Sequence, residues 1–115
     1  MKADLHLHST ASDGTLAPDE LIALAAELGF THLALTDHDS VEGIEAAYDA
    51  AQDCGVELIA GVELSCGAQK EIHILGYGFD PFDEQMIEFC RMRTLERRDR
   101  AAKMVEQLAE NGVEI

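Results

Sequence analysis

The fold is decided by residues 32–64, HLALTDHDSVEGIEAAYDAAQDCGVELIAGVEL. The apolar runs at 32–36 and 56–64 predict two strands. Between them, apolar side chains recur at the spacing of one helical face, at Val41, Ile44, Ala47 and Ala51. This periodicity predicts a helix that begins after an N-cap at Ser40 and ends near Cys54. Strand, helix, strand is the order typical of a parallel α/β sheet, in which the helix carries the chain back to the starting edge.

The same alternation continues on both sides of this segment. Four further elements are predicted: a strand at 3–8, a helix at 18–28 with a proline in its first turn, a strand at 71–76 and a long charged helix at 83–111. A hairpin through residues 66–70 would join the third and fourth strands. The apolar stripe of the last helix is poor at 93–99, where a break is expected, and FDPF at 79–82 is the candidate hinge. The predicted class is therefore α/β.

Size and composition limit the chain to one domain. With 115 residues and 47% hydrophobic side chains, it can form one compact domain with a modest core. No apolar run approaches the ~18 residues of a membrane span, and the start, MKADLHLHS, lacks the apolar segment of a signal peptide. We therefore expect a cytoplasmic protein with no membrane partner. Cys54, Cys66 and Cys90 form no CxxC pair, so buried free thiols are expected rather than disulfides or a zinc knuckle.

Residue types that bind metals stand at the expected strand ends. His6 and His8 are two apart on a predicted strand, so both side chains project from the same face and can reach one ion. The complete series of candidate ligands is His6, His8, Asp13, His38, Glu63 and His73. Because the carboxyl ends of parallel strands share one edge, most of these side chains are expected to converge, although His73 begins its strand and fits that edge less well. The mixture of imidazole and carboxylate favours zinc, manganese or iron over calcium or magnesium.

Other polar residues near this series have simpler interpretations. His32 starts its strand and is expected to be structural. Asp39 and Ser40 are expected to cap the following helix, because an acid or hydroxyl there can bind free N–H groups at the positive end of the helix dipole.

The charge of the chain is unevenly distributed. The formal net charge is −15, yet six of the eight basic residues lie between positions 91 and 103. The charged helix is expected to be a solvated face with pairs such as Glu96 with Arg100. Guanidinium groups also match phosphate geometry, so four arginines are candidates for binding a substrate phosphate: Arg91, Arg93, Arg97 and Arg98.

Four segments resemble motifs of one family of enzymes. DLHLHSTASDGT, THLALTDHDS, GVELS and HILGYGFD are similar to the first motifs of the polymerase and histidinol phosphatase, or PHP, family of metal-dependent phosphoesterases. The resemblance runs from residue 3 to about residue 105. Within the family it points to bacterial phosphatases and exoribonucleases that act on 3',5'-bisphosphate nucleosides and short RNA 5' ends.

The resemblance implies a site with two or three divalent ions, Mn, Zn or Fe. His6 and His8 would bind one ion, and Glu63 would bridge it to a second ion that His73 also holds. Asp13 and His38 would help to hold a third, with Asp37 orienting His38 or a water. Asp13, Asp37 or an aspartate that this chain lacks would accept the proton when a metal-activated water hydrolyses the phosphate ester.

The chain also departs from the family pattern. The resemblance implies an irregular (β/α)7 barrel whose last motifs supply a further histidine and an Asp-x-His pair, but no histidine follows His73 here. Four strands cannot close a barrel. We therefore expect residues 1–115 to be the N-terminal portion of a PHP domain, with barrel elements to about residue 80 and the helix at 83–112 leading to an insertion. A C-terminal segment or a partner copy would complete the site.

Three functions are compatible with these motifs. The first is hydrolysis of nucleoside 3',5'-bisphosphates or short RNA 5' ends. The second is a histidinol-phosphate phosphatase or another small-molecule phosphoesterase. The third is a structural PHP module without catalysis, against which the intact ligand series argues.

Overall fold

The computed structural model describes residues 1–66 and 72–112. It contains four strands and three helices in the predicted order: β1 (Ala3–Leu7), α1 (Pro18–Glu27), β2 (His32–Leu35), α2 (Ile44–Cys54), β3 (Glu57–Cys66), β4 (Ile72–Tyr77) and α3 (Glu84–Glu110). The α/β class is thereby confirmed. Its four strands form one open sheet, as expected for the first part of a barrel.

The strands lie in the sheet in sequence order. β1, β2 and β3 are parallel, with Ala3 beside His32 and His32 beside Glu57. β4 runs antiparallel to β3, as the predicted hairpin requires, although residues 67–71 of that connection lie outside the described part of the chain. Because β4 reverses direction, the beginning of β4 lies beside the end of β3, and His73 pairs with Ser65. The expectation that His73 fits the edge poorly is therefore wrong.

The core lies between the sheet and the first two helices. Ile22 of α1 and Ile44 of α2 are buried against Leu33, Leu35 and Val62 of the strands. α1 begins at a proline, whose missing N–H costs nothing at a position without an intrahelical partner. β4 is one of the two edge strands, and four of its apolar side chains are exposed: Ile72, Ile74, Leu75 and Tyr77.

α2 begins later than the sequence pattern predicts. Its first residue is Ile44, and Ser40 is not its N-cap. The Ser40 hydroxyl instead accepts a hydrogen bond from the N–H of Glu42 at 3.2 Å, a local turn that competes with helix formation. The Asp39 carboxylate also caps no helix, because it accepts from the N–H of Ser65 in β3.

α3 is continuous through residues 93–99, so the expected break is absent. Asp83 caps its N-terminus by accepting a hydrogen bond from the N–H of Met86 at 3.2 Å. Among the described residues, no helix has both the length and the apolarity that a membrane crossing requires.

Cys54 and Cys90 are free thiols in different environments. Cys54 is exposed, contrary to the expectation of a buried side chain. Cys90 is buried, and this burial, together with the nearby negative charge of Asp39, raises the pKa of its thiol to about 11. The Cys90 thiol therefore stays protonated at neutral pH.

The packing predicts how two apolar residues of α1 differ in their contribution to stability. Ile22 is fully buried, so Ile22→Ala should lower the free energy of unfolding by about 2–5 kcal/mol through the cavity it leaves. Leu24 on the same helix is 44% exposed, and Leu24→Ala should cost less than about 1 kcal/mol. Urea unfolding followed by circular dichroism measures both, and equal losses would contradict this packing.

Candidate metal centre

The side chains of His6 and His8 converge on Glu63. β1 carries His6 and ends one residue before His8, and the alternation of an extended chain turns both rings toward the same side. Their ring centroids are 5.1 Å apart. Nε2 of His6 lies 2.5 Å from Oε1 of Glu63, and Nε2 of His8 lies 3.7 Å from the same oxygen.

Glu63 occupies the middle of the cluster. Its side chain is only 7% exposed, and its second oxygen, Oε2, lies 2.9 Å from Nδ1 of His38 and 3.4 Å from Nδ1 of His73. Its main chain is fixed on both sides, since its N–H donates to the carbonyl of Asp37 and its carbonyl accepts from the N–H of Asp39, each at 3.0 Å. One carboxylate thus faces all four histidines of the series.

Asp13 completes the cluster from the loop between β1 and α1. Its two oxygens lie 2.7 Å from Nδ1 of His8 and 3.2 Å from Nε2 of His38. The hydrogen bond with His8, aided by the charges of both histidines, lowers the pKa of Asp13 although its side chain is 62% exposed. Gly14 makes this loop possible, because a Cβ there would overlap the carbonyl of His8. Asp13 is therefore held ionised beside two imidazoles.

The six predicted ligands form three adjoining groups. In each group the candidate ligand atoms lie within 4.8 Å of one another. The groups are His6 with His8 and Glu63, then His8 with Asp13 and His38, then His38 with Glu63 and His73. His8, His38 and Glu63 each belong to two groups, so the structure brings the whole series together.

The donor set fits divalent transition metals. Imidazole nitrogen combined with carboxylate oxygen is typical of zinc, manganese and iron sites. In the described part of the chain, Nε2 of His8 and Nδ1 of His38 are buried and form no hydrogen bond of acceptable geometry, although Glu63 oxygens lie 3.7 and 2.9 Å from them. Buried polar atoms normally have a partner, so two such nitrogens directed into the cluster are suited to binding an ion.

Asp37 has partners that its sequence position did not indicate. It is 1% exposed, and its carboxylate accepts hydrogen bonds from the N–H of Ser9 at 2.6 Å, from the Ser9 hydroxyl at 2.7 Å and from the Ser12 hydroxyl at 2.8 Å. These bonds hold the loop that presents Asp13. The described contacts thus connect Asp37 to the loop rather than to His38. Ser9 and Ser12 were not singled out in the sequence, where only their position just after the HxH pair is suggestive.

The other candidate residues have distinct positions. His32 lies at the opposite end of β2, where its Nδ1 is 2.8 Å from the Thr31 hydroxyl, in agreement with a structural role. Arg91 pairs with Glu88 at 2.8 Å. The predicted pair of Glu96 with Arg100 is replaced by one of Glu96 with Arg93, at 3.2 Å.

A cavity of about 540 Å³ opens beside the cluster. Asp13 and His38 lie on one wall, and the α3 residues Arg97 and Arg98 lie on another, with Ile87 among the apolar lining residues. Arg97 is paired with Asp39 at 3.3 Å. Arg98 makes no hydrogen bond or ion pair with any residue in 1–66 or 72–112. Among the described residues, the cavity therefore combines access to the cluster with one arginine, Arg98, that has no carboxylate partner.

Comparison with known proteins identifies the family. The PHP domain family profile matches residues 4–114, so the chain belongs to the PHP domain family. The resemblance inferred from the four motifs is thereby confirmed.

Curated relatives carry several names. The chain is 42% identical over 113 residues to a 5'-3' exoribonuclease of Haemophilus influenzae, covering 97% of this chain and 41% of the relative. It is 38% identical over 111 residues to a 3',5'-nucleoside bisphosphate phosphatase of Chromobacterium violaceum, covering 96% of this chain and 39% of the relative. It is 34% identical over 119 residues to a phosphoribosyl 1,2-cyclic phosphate 1,2-diphosphodiesterase of Eggerthella lenta, covering 100% of this chain and 45% of the relative. The chain thus spans about two fifths of the length of these relatives.

Two solved structures share the fold. An amidohydrolase from Chromobacterium violaceum, solved with bound sulfate and without metal, matches with a TM-score of 0.87 at 36% identity. The match covers 100% of this chain and 41% of the amidohydrolase. A metal-dependent phosphoesterase from Bifidobacterium adolescentis matches with a TM-score of 0.83 at 31% identity. The match covers 95% of this chain and 38% of the phosphoesterase. Both likenesses support the assignment of the sheet to the first part of a PHP barrel.

Because Glu63 belongs to two of the three ligand groups, substituting it should weaken metal binding. Glu63→Gln removes a negative charge that two of the three groups use, so affinity for manganese or zinc should fall at least about tenfold. Elemental analysis after dialysis against limiting metal measures the effect. Glu57→Gln, on the exposed beginning of the same strand, is the matched control and should retain the metal. Equal metal content in both variants would contradict a centre at Glu63.

Proposed function

We propose that this chain forms part of a metal-dependent phosphoesterase that hydrolyses nucleoside 3',5'-bisphosphates or the 5' ends of short RNA. The observation that carries the proposal is the carboxylate of Glu63 among four histidines, beside a cavity with arginines on its far wall. The relatives named exoribonuclease and bisphosphate phosphatase support this class of substrate.

The histidines, Glu63 and Asp13 would hold two or three divalent ions. Such ions, when bound, activate water toward hydroxide and stabilise charge on phosphoryl oxygens. Glu63 would neutralise part of the positive charge of the ions and fix their spacing. Asp13 is the accessible one of the two predicted catalytic carboxylates, and its lowered pKa keeps it anionic, which suits a ligand better than a strong proton acceptor.

Asp37 would act through the loop rather than on the substrate. Its carboxylate is buried and already accepts three hydrogen bonds from Ser9 and Ser12. It would therefore keep Asp13 in place beside His8 while the substrate enters and leaves. No protein nucleophile is needed for this reaction class.

Residues outside this chain would complete the centre. The PHP resemblance implies a further histidine and an Asp-x-His pair, and the chain spans about two fifths of the relatives' length. We propose that a C-terminal segment supplies these ligands, with a second copy of the chain as the alternative source. In this scheme residues 1–80 form barrel elements, and the helix that follows leads into an insertion.

One of the four candidate arginines of α3, Arg98, would bind the anionic substrate. Arg91, Arg93 and Arg97 already have carboxylate partners, whereas Arg98 lines the cavity without one in the described part of the chain. A guanidinium group binds phosphate bidentately, so Arg98 is suited to the phosphate that is not being cleaved.

A second candidate is a phosphoesterase for another small molecule. The relative from Eggerthella lenta is named as a cyclic phosphate diphosphodiesterase, and its alignment covers 100% of this chain. This relative favours the second candidate. Histidinol phosphate belongs to the same class of substrate. A purely structural module would not need six assembled ligand side chains, so we favour catalysis.

Metal-dependent phosphate release tests the proposed function. The complete protein, loaded with manganese, should release phosphate from adenosine 3',5'-bisphosphate or nucleotides from 5'-phosphorylated RNA faster than phosphate from histidinol phosphate. His8→Ala should reduce kcat by at least about a hundredfold, because His8 belongs to two ligand groups. His32→Ala is the matched control and should keep its activity. Full activity of His8→Ala would refute the proposal, and preference for histidinol phosphate would favour the second candidate.

The assignment of Arg98 has its own kinetic prediction. Arg98→Ala should raise KM for a bisphosphate about tenfold, because one charge-assisted contact is lost, and should change KM for the corresponding monophosphate little. Arg100→Ala is the control, since Arg100 lies on the same helix but does not line the cavity. Steady-state kinetics with the two substrates would contradict the assignment if both variants behave alike.

A further inference from the structure

α3 is a long helix with little apolar anchoring. It has 27 residues, of which Cys90 is the one buried side chain. Three polar contacts connect its middle to the rim of the metal centre. The Thr94 hydroxyl lies 3.2 Å from the carbonyl of Asp39 and 3.0 Å from that of Cys90 in its own helix, so the two acceptors share one donor. Arg97 donates to the Asp39 carboxylate at 3.3 Å, and Arg93 donates to the carbonyl of Ser65. The position of α3 therefore depends on polar bonds near one loop.

Asp39 is the acceptor in two of these three contacts, those of Thr94 and Arg97. It is completely buried and has a φ of 47°, a left-handed conformation that L-residues other than Asn and Asp rarely adopt. Its carboxylate binds the N–H of Ser65 at 3.1 Å as well as Arg97, and its own N–H donates to the carbonyl of Glu63 at 3.0 Å. One residue thus contacts α3, β3 and the central ligand of the cluster.

We propose that Asp39 is a positioning residue, which holds α3 in register with the metal centre and so sets the distance between the cluster and the arginine wall of the cavity. The kinetic part of this proposal rests on the proposed function. Asp39 belongs to none of the three candidate ligand groups, so it acts through its neighbours rather than on the reacting atoms.

Charge and burial explain why this contact matters. A buried carboxylate is costly unless hydrogen bonds and a cation compensate it, and Arg97 is the cation that reaches it. The side chain of Arg97 is 46% exposed, so it remains partly in solvent while its guanidinium reaches the fully buried acid. Loss of either partner removes one of the polar contacts that hold the middle of α3. Arg98, one residue further along, would then lose its fixed position in the cavity.

Two substitutions isolate the ion pair. Asp39→Asn keeps the tolerance for a left-handed backbone and the acceptor for the Ser65 N–H, but removes the charge that binds Arg97. Arg97→Gln removes the other charge from a half-exposed position and tests the same bond if the first variant folds poorly. Their matched controls are Asp99→Asn and Lys103→Gln, which break the exposed pair that Lys103 forms with Asp99 at 3.2 Å on the same helix.

The expected result is a change in substrate affinity without a change in chemistry. In the complete manganese-loaded protein, Asp39→Asn and Arg97→Gln should each raise KM for the bisphosphate at least about fivefold while kcat stays within about twofold. The double variant should be no worse than the poorer single variant, because both remove one interaction. Metal content, measured by elemental analysis, should be unchanged, and both control variants should behave as wild type.

Hydrogen exchange gives a second readout that does not require activity. In either variant the amides of α3 should exchange at least about fivefold faster, whereas those of α1 and α2 should not change. Unchanged exchange in α3 or an unchanged KM would overturn the proposal, as would additive effects in the double variant. If the wild-type protein hydrolyses no phosphate ester, the proposed function fails, and the exchange data alone then decide whether Asp39 positions α3.

Discussion

The buried carboxylate of Glu63 is the constraint on which the rest of the site depends. A carboxylate that is 7% exposed needs compensating groups, and here His6 forms a hydrogen bond with it while three further imidazoles lie within 3.7 Å. These imidazoles come from β1 and the residue just after it, from the segment after β2 and from β4, so one carboxylate contacts three separate parts of the chain. The main chain of Glu63 is itself tied to Asp37 and Asp39. The sheet therefore positions the acid, and the acid positions the cluster.

The reversal of direction at β4 is as important as the parallel strands before it. Three parallel strands deliver their carboxyl ends to one edge of the sheet, which explains why His8, His38 and Glu63 meet. A fourth parallel strand would have carried the beginning of its sequence to the opposite edge. Because β4 is antiparallel, His73 lies opposite Ser65 and within 3.4 Å of Glu63. A hairpin thus adds to the cluster a ligand from the start of a strand.

Local sequence patterns revealed the elements and the candidate ligands, but not the bonds that hold them. Apolar periodicity located α1 and all four strands, and the HxH spacing pointed to the cluster. The partners of Asp37 and Asp39 could not be inferred, because Ser9 is 28 residues from Asp37 and Arg97 is 58 residues from Asp39 in sequence. The late start of α2 has a local cause, since the Ser40 hydroxyl forms a turn that a capping rule does not distinguish from an N-cap. Such contacts depend on how distant segments align with one another in the folded chain, which local sequence patterns do not specify.

The sharing of ligands among the three groups has a thermodynamic consequence. His8, His38 and Glu63 each face two neighbouring groups, so an ion in one group would orient a side chain that the next group also needs. The same ion would repel a second cation close by. The three positions would therefore be linked, each occupancy changing the affinity of the others by a reciprocal factor. A titration of such a centre would report macroscopic constants of the whole cluster rather than properties of single sites.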